Sequence, residues 1–276
     1  MKDFRLEVFK KASLCRNFED EVFKRMADKT IQYPAYLSAG QEYIAASIAT
    51  VLEGKVEPHI FIQHRGHSTY LSFGGDVVKL IDELLGRETG CANGMGGSAS
   101  IQCKEKHIFG HDGLMGSQVP IAVGYCYTTK HPTIVFVGDS AAEEDYVLSA
   151  IGWASTKNIP ILFVVEDNNL SILTEKKVRR NWEMDSVAKG FGVEAYNISD
   201  DPEDIRKHLD DVFEKPMLLN INTIRKYWHA GAGIDDENVF DRYESQMKML
   251  GKRANIIDEV NKKLIEKLWQ RQLEIQ

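Results

Sequence analysis

Two apolar runs, Ile134-Val135-Phe136-Val137 and Ile161 to Val165, stand one helix length apart, the first leading into Gly138-Asp139-Ser140 and the second toward Asn168. Four or five consecutive β-branched and aromatic residues suit strands buried on both faces, and Glu143 to Lys157 between them reads as a crossover helix. The unit is βαβ. A right-handed crossover makes such strands parallel and near neighbours, so Asp139 and Asn168 are expected together at the carboxyl ends of the sheet, where open α/β sheets take ligands. One carboxylate and one amide facing a crevice match what Mg²⁺ takes from protein when water and substrate phosphates complete its shell. Asp and Asn also cap helices and turns, so the pair alone leaves that plainer role open.

The chain of 276 residues has room for one large α/β domain or two small ones, and one domain over residues 1–276 is the simpler expectation. Its core is expected at about 35–235, with an amino-terminal helix and a carboxyl-terminal helical tail. A net charge of -7 without a long Lys/Arg stripe argues against nucleic acid as a partner. Cys15, Cys91, Cys103 and Cys126 lack CxxC or Cys/His spacing, which argues against a zinc site or a disulfide framework. No run approaches the roughly 20 apolar residues of a membrane span, and Met1-Lys2-Asp3-Phe4-Arg5 lacks a signal-peptide core. No membrane and a cytoplasmic location are expected.

Apolar residues at three- and four-residue steps predict helices over 4–28 and 256–273, the latter through Ile257, Val260, Leu264 and Leu268 as an exposed-edge helix covering this subunit or a partner. Further helices are predicted over 40–53, 77–85, 119–129, 185–192 and 203–213, and further strands over 60–63 and 217–222. Two glycine-rich loops, 90–98 and 113–117, and a Gly/Ala loop over 225–233 containing His229 complete the pattern.

Six stretches in order, Gly40-Gln41-Glu42, Arg65-Gly66-His67, Gly90-Cys91 with Gly96-Gly97-Ser98, Gly113 to Pro120, Gly138-Asp139 to Asn168, and Arg225 with His229, give a specific match. Over about 35–235 the chain resembles the alpha subunit of the thiamine-diphosphate-dependent decarboxylating component of 2-oxo acid dehydrogenases. The resemblance implies the thiamine-diphosphate-binding fold, an α/β architecture whose mostly parallel sheet carries helices on both faces. It implies thiamine diphosphate and Mg²⁺ as cofactors, with Asp139, Asn168 and the carbonyl of Leu170 on the metal. Gly138, Ser140 and Ala141 accompany Asp139 in the motif, where Ser140 replaces a usual glycine. Arg65 and Arg225 match diphosphate contacts, suited to an always-charged planar fork. His64 stands where the family usually has Tyr. Gly113 and Met115 match backbone contacts to the aminopyrimidine, and Ile172 the apolar wedge that keeps the cofactor bent.

His229 and His67 are the candidate active-site imidazoles, able to stabilise a 2-oxo acid carboxylate or pass a proton. His107, His111 and His131 are read as surface or loop histidines. The resemblance further implies a beta subunit that supplies the activating glutamate in an α₂β₂ heterotetramer, and a lipoyl-bearing acyltransferase as acyl acceptor. The competing expectation is a carboligase or transketolase-like subunit that passes the carbanion to an aldehyde. Trp228 beside His229 is expected to narrow the substrate end.

Overall fold

A computed structural model of the chain describes residues 3–231, 235 and 239–275; residues 232 and 233 of the expected 225–233 loop lie outside these. In chain order the strands are β1 (His59–Phe61), β2 (Ile108–Phe109), β3 (Thr133–Gly138), β4 (Ile161–Asp167), β5 (Leu170–Ser171), β6 (Thr174–Glu175), β7 (Glu194–Ser199) and β8 (Met217–Asn222). β5 and β6 form a separate antiparallel hairpin, while the other six make one sheet in the spatial order β2-β1-β3-β4-β8-β7. Every pairing in that sheet is parallel. The two apolar runs are thus adjacent strands, in register from Thr133↔Ile161 to Gly138↔Glu166.

The helices are α1 (Phe4–Ala27), α2 (Glu42–Leu52), α3 (His67–Ser72), α4 (Val77–Leu84), α5 (Gln118–Thr129), α6 (Asp145–Lys157), α7 (Lys176–Arg179), α8 (Met184–Gly190), α9 (Pro202–Arg206), α10 (Arg242–Leu250) and α11 (Lys252–Glu274). Successive strand side chains point to opposite faces, so alternate residues enter different cores. Ile134, Phe136, Leu162 and Val164 pack with Phe18 of α1, Ile44 of α2 and Leu80 of α4. Val135, Val137, Phe163 and Val165 pack with Val119 of α5, Val147 of α6 and Ala188 of α8. The sheet is covered on both faces, which is why these strands read as unbroken apolar runs. Truncating a residue such as Phe136 to Ala would cost about 3–5 kcal/mol.

α1 belongs to this packing, since Cys15, Phe18 and Val22 share a cluster with sheet residues. α11 lies along α1, and its buried residues are Ala254, Ile265, Trp269 and Gln272. The expected stripe is therefore turned: Val260 and Leu264 are exposed, while Leu268 is only partly buried. Trp269 against Phe18 makes the contact instead, with ring centroids 6.2 Å apart. The expected 203–213 helix stops at Arg206 and gives way to turns, with Phe213 at φ 78°. β7 and α10 were not anticipated, because β7 is an edge strand with one fully buried residue and α10 buries only Tyr243 and Gln246. Among the described residues, no helix is long and apolar enough to cross a membrane.

Candidate cofactor site

Each loop with an expected site residue leaves the carboxyl end of a parallel strand: His64 and Arg65 after β1, Gly113 and Met115 after β2, Asp139 after β3, Asn168 after β4 and Arg225 after β8. Parallel pairing gathers them at one rim. Arg65 and Arg225 are 4% and 3% exposed. One nitrogen of each donates to His229 Nδ1, both at 3.3 Å. A guanidinium cannot accept, so Nδ1 is the acceptor and neutral His229 carries its proton on Nε2. Burial and the two guanidinium charges push the His229 imidazolium down to about 4. It is neutral at physiological pH.

Arg225 is anchored elsewhere by both oxygens of Asp235, each at 2.6 Å, and by the Ile172 carbonyl at 2.7 Å. Among the described residues Arg65 bonds the Leu37 carbonyl at 2.7 Å besides His229. Among the described residues it pairs with no carboxylate, and burial beside Arg225 pushes it down to about 10. Two buried like charges held together in this way suit an anion bearing several oxygens, as a diphosphate does. Tyr36, His64 and His111 form the wall, with Tyr36–His64 and His64–His111 centroids 4.8 and 5.9 Å apart.

On the metal side, Asp139 is buried, and desolvation with the neighbouring Asp167 charge pushes its carboxyl up to about 6 against the opposing pull of Arg179. Asn168 donates from Nδ2 to Gln41 Oε1 at 2.8 Å and accepts from the Leu170 amide at 3.1 Å. Its orientation is therefore set from both ends. Among the described residues, no group of three or more His, Cys, Asp or Glu is arranged to hold a metal alone. The donors Asp139, Asn168 and the Leu170 carbonyl fit Mg²⁺ only where phosphate oxygens and water fill the remaining positions. That chemistry suits a metal-diphosphate and not a free-standing metal centre.

The Gly113 amide donates to His111 Nδ1 at 3.0 Å, and the Met115 carbonyl accepts from the Tyr146 hydroxyl. What remains is a carbonyl on Gly113 and an amide on Met115, one acceptor and one donor on the same loop. Gly138 leaves room that a side chain would fill, since a Cβ there would stand 3.1 Å from Gln63 Oε1. Ser140 turns its hydroxyl to Ser171 Oγ at 2.9 Å, and Ala141 opens a single-turn 3₁₀ helix, Ala141–Glu143. Ile172 sits at φ 53°, an unfavourable conformation for a β-branched residue, with its side chain largely exposed.

Residues 10–276 match the family described as "Dehydrogenase E1 component". The chain belongs to that family. It is similar to the pyruvate dehydrogenase E1 component subunit alpha of Rhizobium meliloti (strain 1021), with 24% identity over 97% of this chain and 79% of the relative. The corresponding subunit of Rickettsia prowazekii (strain Madrid E) is 26% identical over 94% of this chain and 83% of its own length. The mitochondrial subunit alpha-1 of Oryza sativa subsp. japonica is 26% identical over 82% of this chain, which spans only 60% of that relative. The fold resembles transketolase from Campylobacter jejuni subsp. jejuni (TM-score 0.63, 18% identity), covering 100% of this chain and 49% of that one. Transketolase from Leishmania mexicana gives a TM-score of 0.60 at 14% identity, covering 95% and 46%. The E1 chain therefore has the transketolase-like thiamine-diphosphate fold expected from its motifs.

Within this E1 fold some residues stand apart from their expected places. His67 is fully buried, with Nδ1 3.1 Å from Glu19 and Nε2 3.0 Å from Ser98 Oγ. The Glu19 carboxylate accepts, so Nδ1 carries a proton, and in the neutral ring Nε2 accepts from the Ser98 hydroxyl, which itself accepts from the Tyr36 amide at 2.8 Å. Both nitrogens are used, and His67 ties α1 and the first glycine loop to the rim without facing the crevice. Trp228 stacks on Phe23 of α1 at 4.6 Å, which fixes it against the helical layer. His111, read as a surface or loop histidine, lies in a loop and is buried there. Tyr36, Gln63 and Arg179 escaped the sequence reading, and Gln41 entered it only as a motif letter. The 29-residue spacing of Asp139 and Asn168 carries information about those two alone.

Proposed function

We propose that this chain is the alpha subunit of a thiamine-diphosphate- and Mg²⁺-dependent enzyme that decarboxylates a 2-oxo acid and passes the acyl group to a lipoyl carrier. The observation that supports it most is the convergence of Arg65 and Arg225 on His229 at the same rim as Asp139 and Asn168. When bound, thiamine diphosphate supplies the nucleophilic carbon and the electron sink for the chemistry. Arg65 and Arg225 would hold the diphosphate, while Asp139, Asn168 and the Leu170 carbonyl would hold Mg²⁺. The Gly113 carbonyl and Met115 amide would bind the aminopyrimidine, and Ile172 would supply an apolar contact to the cofactor. Neutral His229, with Nδ1 occupied by the two guanidiniums, would donate from Nε2 to an oxygen of the 2-oxo acid.

The activating carboxylic acid is assigned to a beta subunit in an α₂β₂ assembly; the relatives' names, each a subunit alpha, support a partner subunit. The test is the complex reconstituted with its beta chain, given a panel of 2-oxo acids with ferricyanide and then with a lipoyl domain or aldehydes. Decarboxylation with reductive acylation of the lipoyl domain is expected. Transfer to aldehydes alone would make it a carboligase, and no turnover with any acid would remove the proposal.

A further inference from the structure

Arg179 lies outside every motif that carries the cofactor reading, yet it holds the principal metal-ligand candidate. α7 is a basic segment, Lys176-Lys177-Val178-Arg179, and Arg179 is 13% exposed at its end. Its Nη2 stands 2.5 Å from Asp139 Oδ2 and its Nη1 2.5 Å from Glu143 Oε1. Arg180 follows with a bond to the Asp139 main-chain carbonyl at 3.3 Å and an approach to Glu143 at 3.4 Å. The arm thus holds both the side chain and the backbone of Asp139.

Only one carboxylate oxygen is used. Among the described residues Asp139 Oδ1 accepts no hydrogen bond, because Arg179 spreads its fork over two different carboxylates. Some arginine forks in this chain take both oxygens of one carboxylate, as Arg16 does on Asp241 at 2.9 and 2.9 Å and Arg225 on Asp235 at 2.6 and 2.6 Å, while Arg242, like Arg179, is spread over two acids, Asp200 and Asp201. Arg179 leaves the metal-facing half of Asp139 open. A carboxylate that binds a cation through one oxygen is commonly oriented by an outer partner on the other, and loss of that partner costs 10–100-fold in metal affinity.

We propose that Arg179 is a positioning residue for the metal, fixing the plane of the Asp139 carboxylate so that Oδ1 is presented to Mg²⁺. The inference rests on the metal-diphosphate reading of the site. It is tested by calorimetric titration of Mg²⁺ into the reconstituted α/β complex at saturating thiamine diphosphate, using wild type, R179Q, R179K and D139N. R179Q is expected to raise the Mg²⁺ Kd by about 10–100-fold. R179K keeps one donor and should return the Kd to within about threefold of wild type. A merely structural arginine would not show that rescue in metal affinity. An R179Q Kd within about twofold of wild type, or a tighter one as expected of a residue that competes with the metal, overturns the positioning role if D139N still weakens binding. If D139N also leaves Mg²⁺ binding unchanged, the metal reading itself fails. Should R179Q not fold, R179M, which keeps the apolar stem without a donor, is titrated in its place, and an Mg²⁺ Kd within about twofold of wild type there overturns the proposal.

Discussion

Two guanidiniums on one imidazole nitrogen decide what His229 can do. They make Nδ1 an acceptor and leave the proton on Nε2, and burial, with the two guanidinium charges adding to it, pushes the imidazolium down to about 4. Because the folded value lies below the ordinary ~6.5, the unfolded chain binds a proton between about pH 4 and 6.5 that the folded chain does not. Stability from this group therefore rises with pH through that window and is lost as the pH falls. An anion placed on Arg65 and Arg225 offsets their charges but not the burial, so inorganic pyrophosphate should move the His229 titration part of the way up from about 4. NMR titration of the imidazole Cε1 proton, with and without pyrophosphate, measures this, and an unmoved or lowered midpoint would contradict it. Arg65→Gln should raise the same midpoint without pyrophosphate and weaken thiamine diphosphate binding by about 10–100-fold, the worth of a charged hydrogen bond. Arg65, Arg225 and His229 were legible in the sequence because each follows a strand within a recognisable stretch. Tyr36 and Arg179 were not, since their relevance comes from rings and carboxylates many residues away and no spacing announces it.

At the scale of elements, the first glycine loop shows how a local pattern hides its own purpose. Such a run of backbone amides can cradle a phosphate. Here the amides of Ala92, Gly94, Gly96 and Gly97 converge instead on the buried Glu83 carboxylate, at 2.7, 2.9, 2.7 and 3.1 Å. The glycines are required by close approach: a Cβ on Gly94 would meet the Gly86 backbone at 2.5 Å. The loop ends at Ser98, which passes the constraint to His67 and the Tyr36 amide and so to the rim. Nothing in Asp82-Glu83 distinguishes a buried acceptor from an ordinary helix acid, so the sequence displayed the loop and concealed its partner. Glu83→Gln keeps the shape but faces an amide toward some of these donors, and should cost about 2–4 kcal/mol. Urea denaturation and faster amide exchange at residues 92, 94, 96 and 97 would register it. The central strands were legible because burial on both faces makes them wholly apolar. β7 lacked that signal, and its single fully buried residue leaves no alternation to read.

Across the whole molecule, the helical layer is locked to the rim by a buried ion network. Arg16 of α1 bonds Glu42 at 2.6 Å and Asp241 at 2.9 Å, while Glu42 also accepts the Gly40 amide at 2.6 Å. Arg16→Met would leave two carboxylates buried together and should cost about 3–5 kcal/mol by denaturant unfolding. Leu114, Ile172 and Leu173, on the two loops that border the rim, are 60%, 57% and 59% exposed. Apolar side chains this exposed around a crevice that should exclude water are what an incomplete site presents. If the beta subunit completes it, these loops become buried on assembly while α1 and α11 do not. Hydrogen exchange should then slow at residues 112–116 and 170–175 when the beta chain is added, with α11 unchanged. The isolated chain should also bind thiamine diphosphate more weakly than the complex, because binding to only part of a site forfeits the contacts of the rest. Equal affinity in both forms, or protection confined to α11, would mean that the partner covers a different surface and that this rim is closed by the chain's own loops.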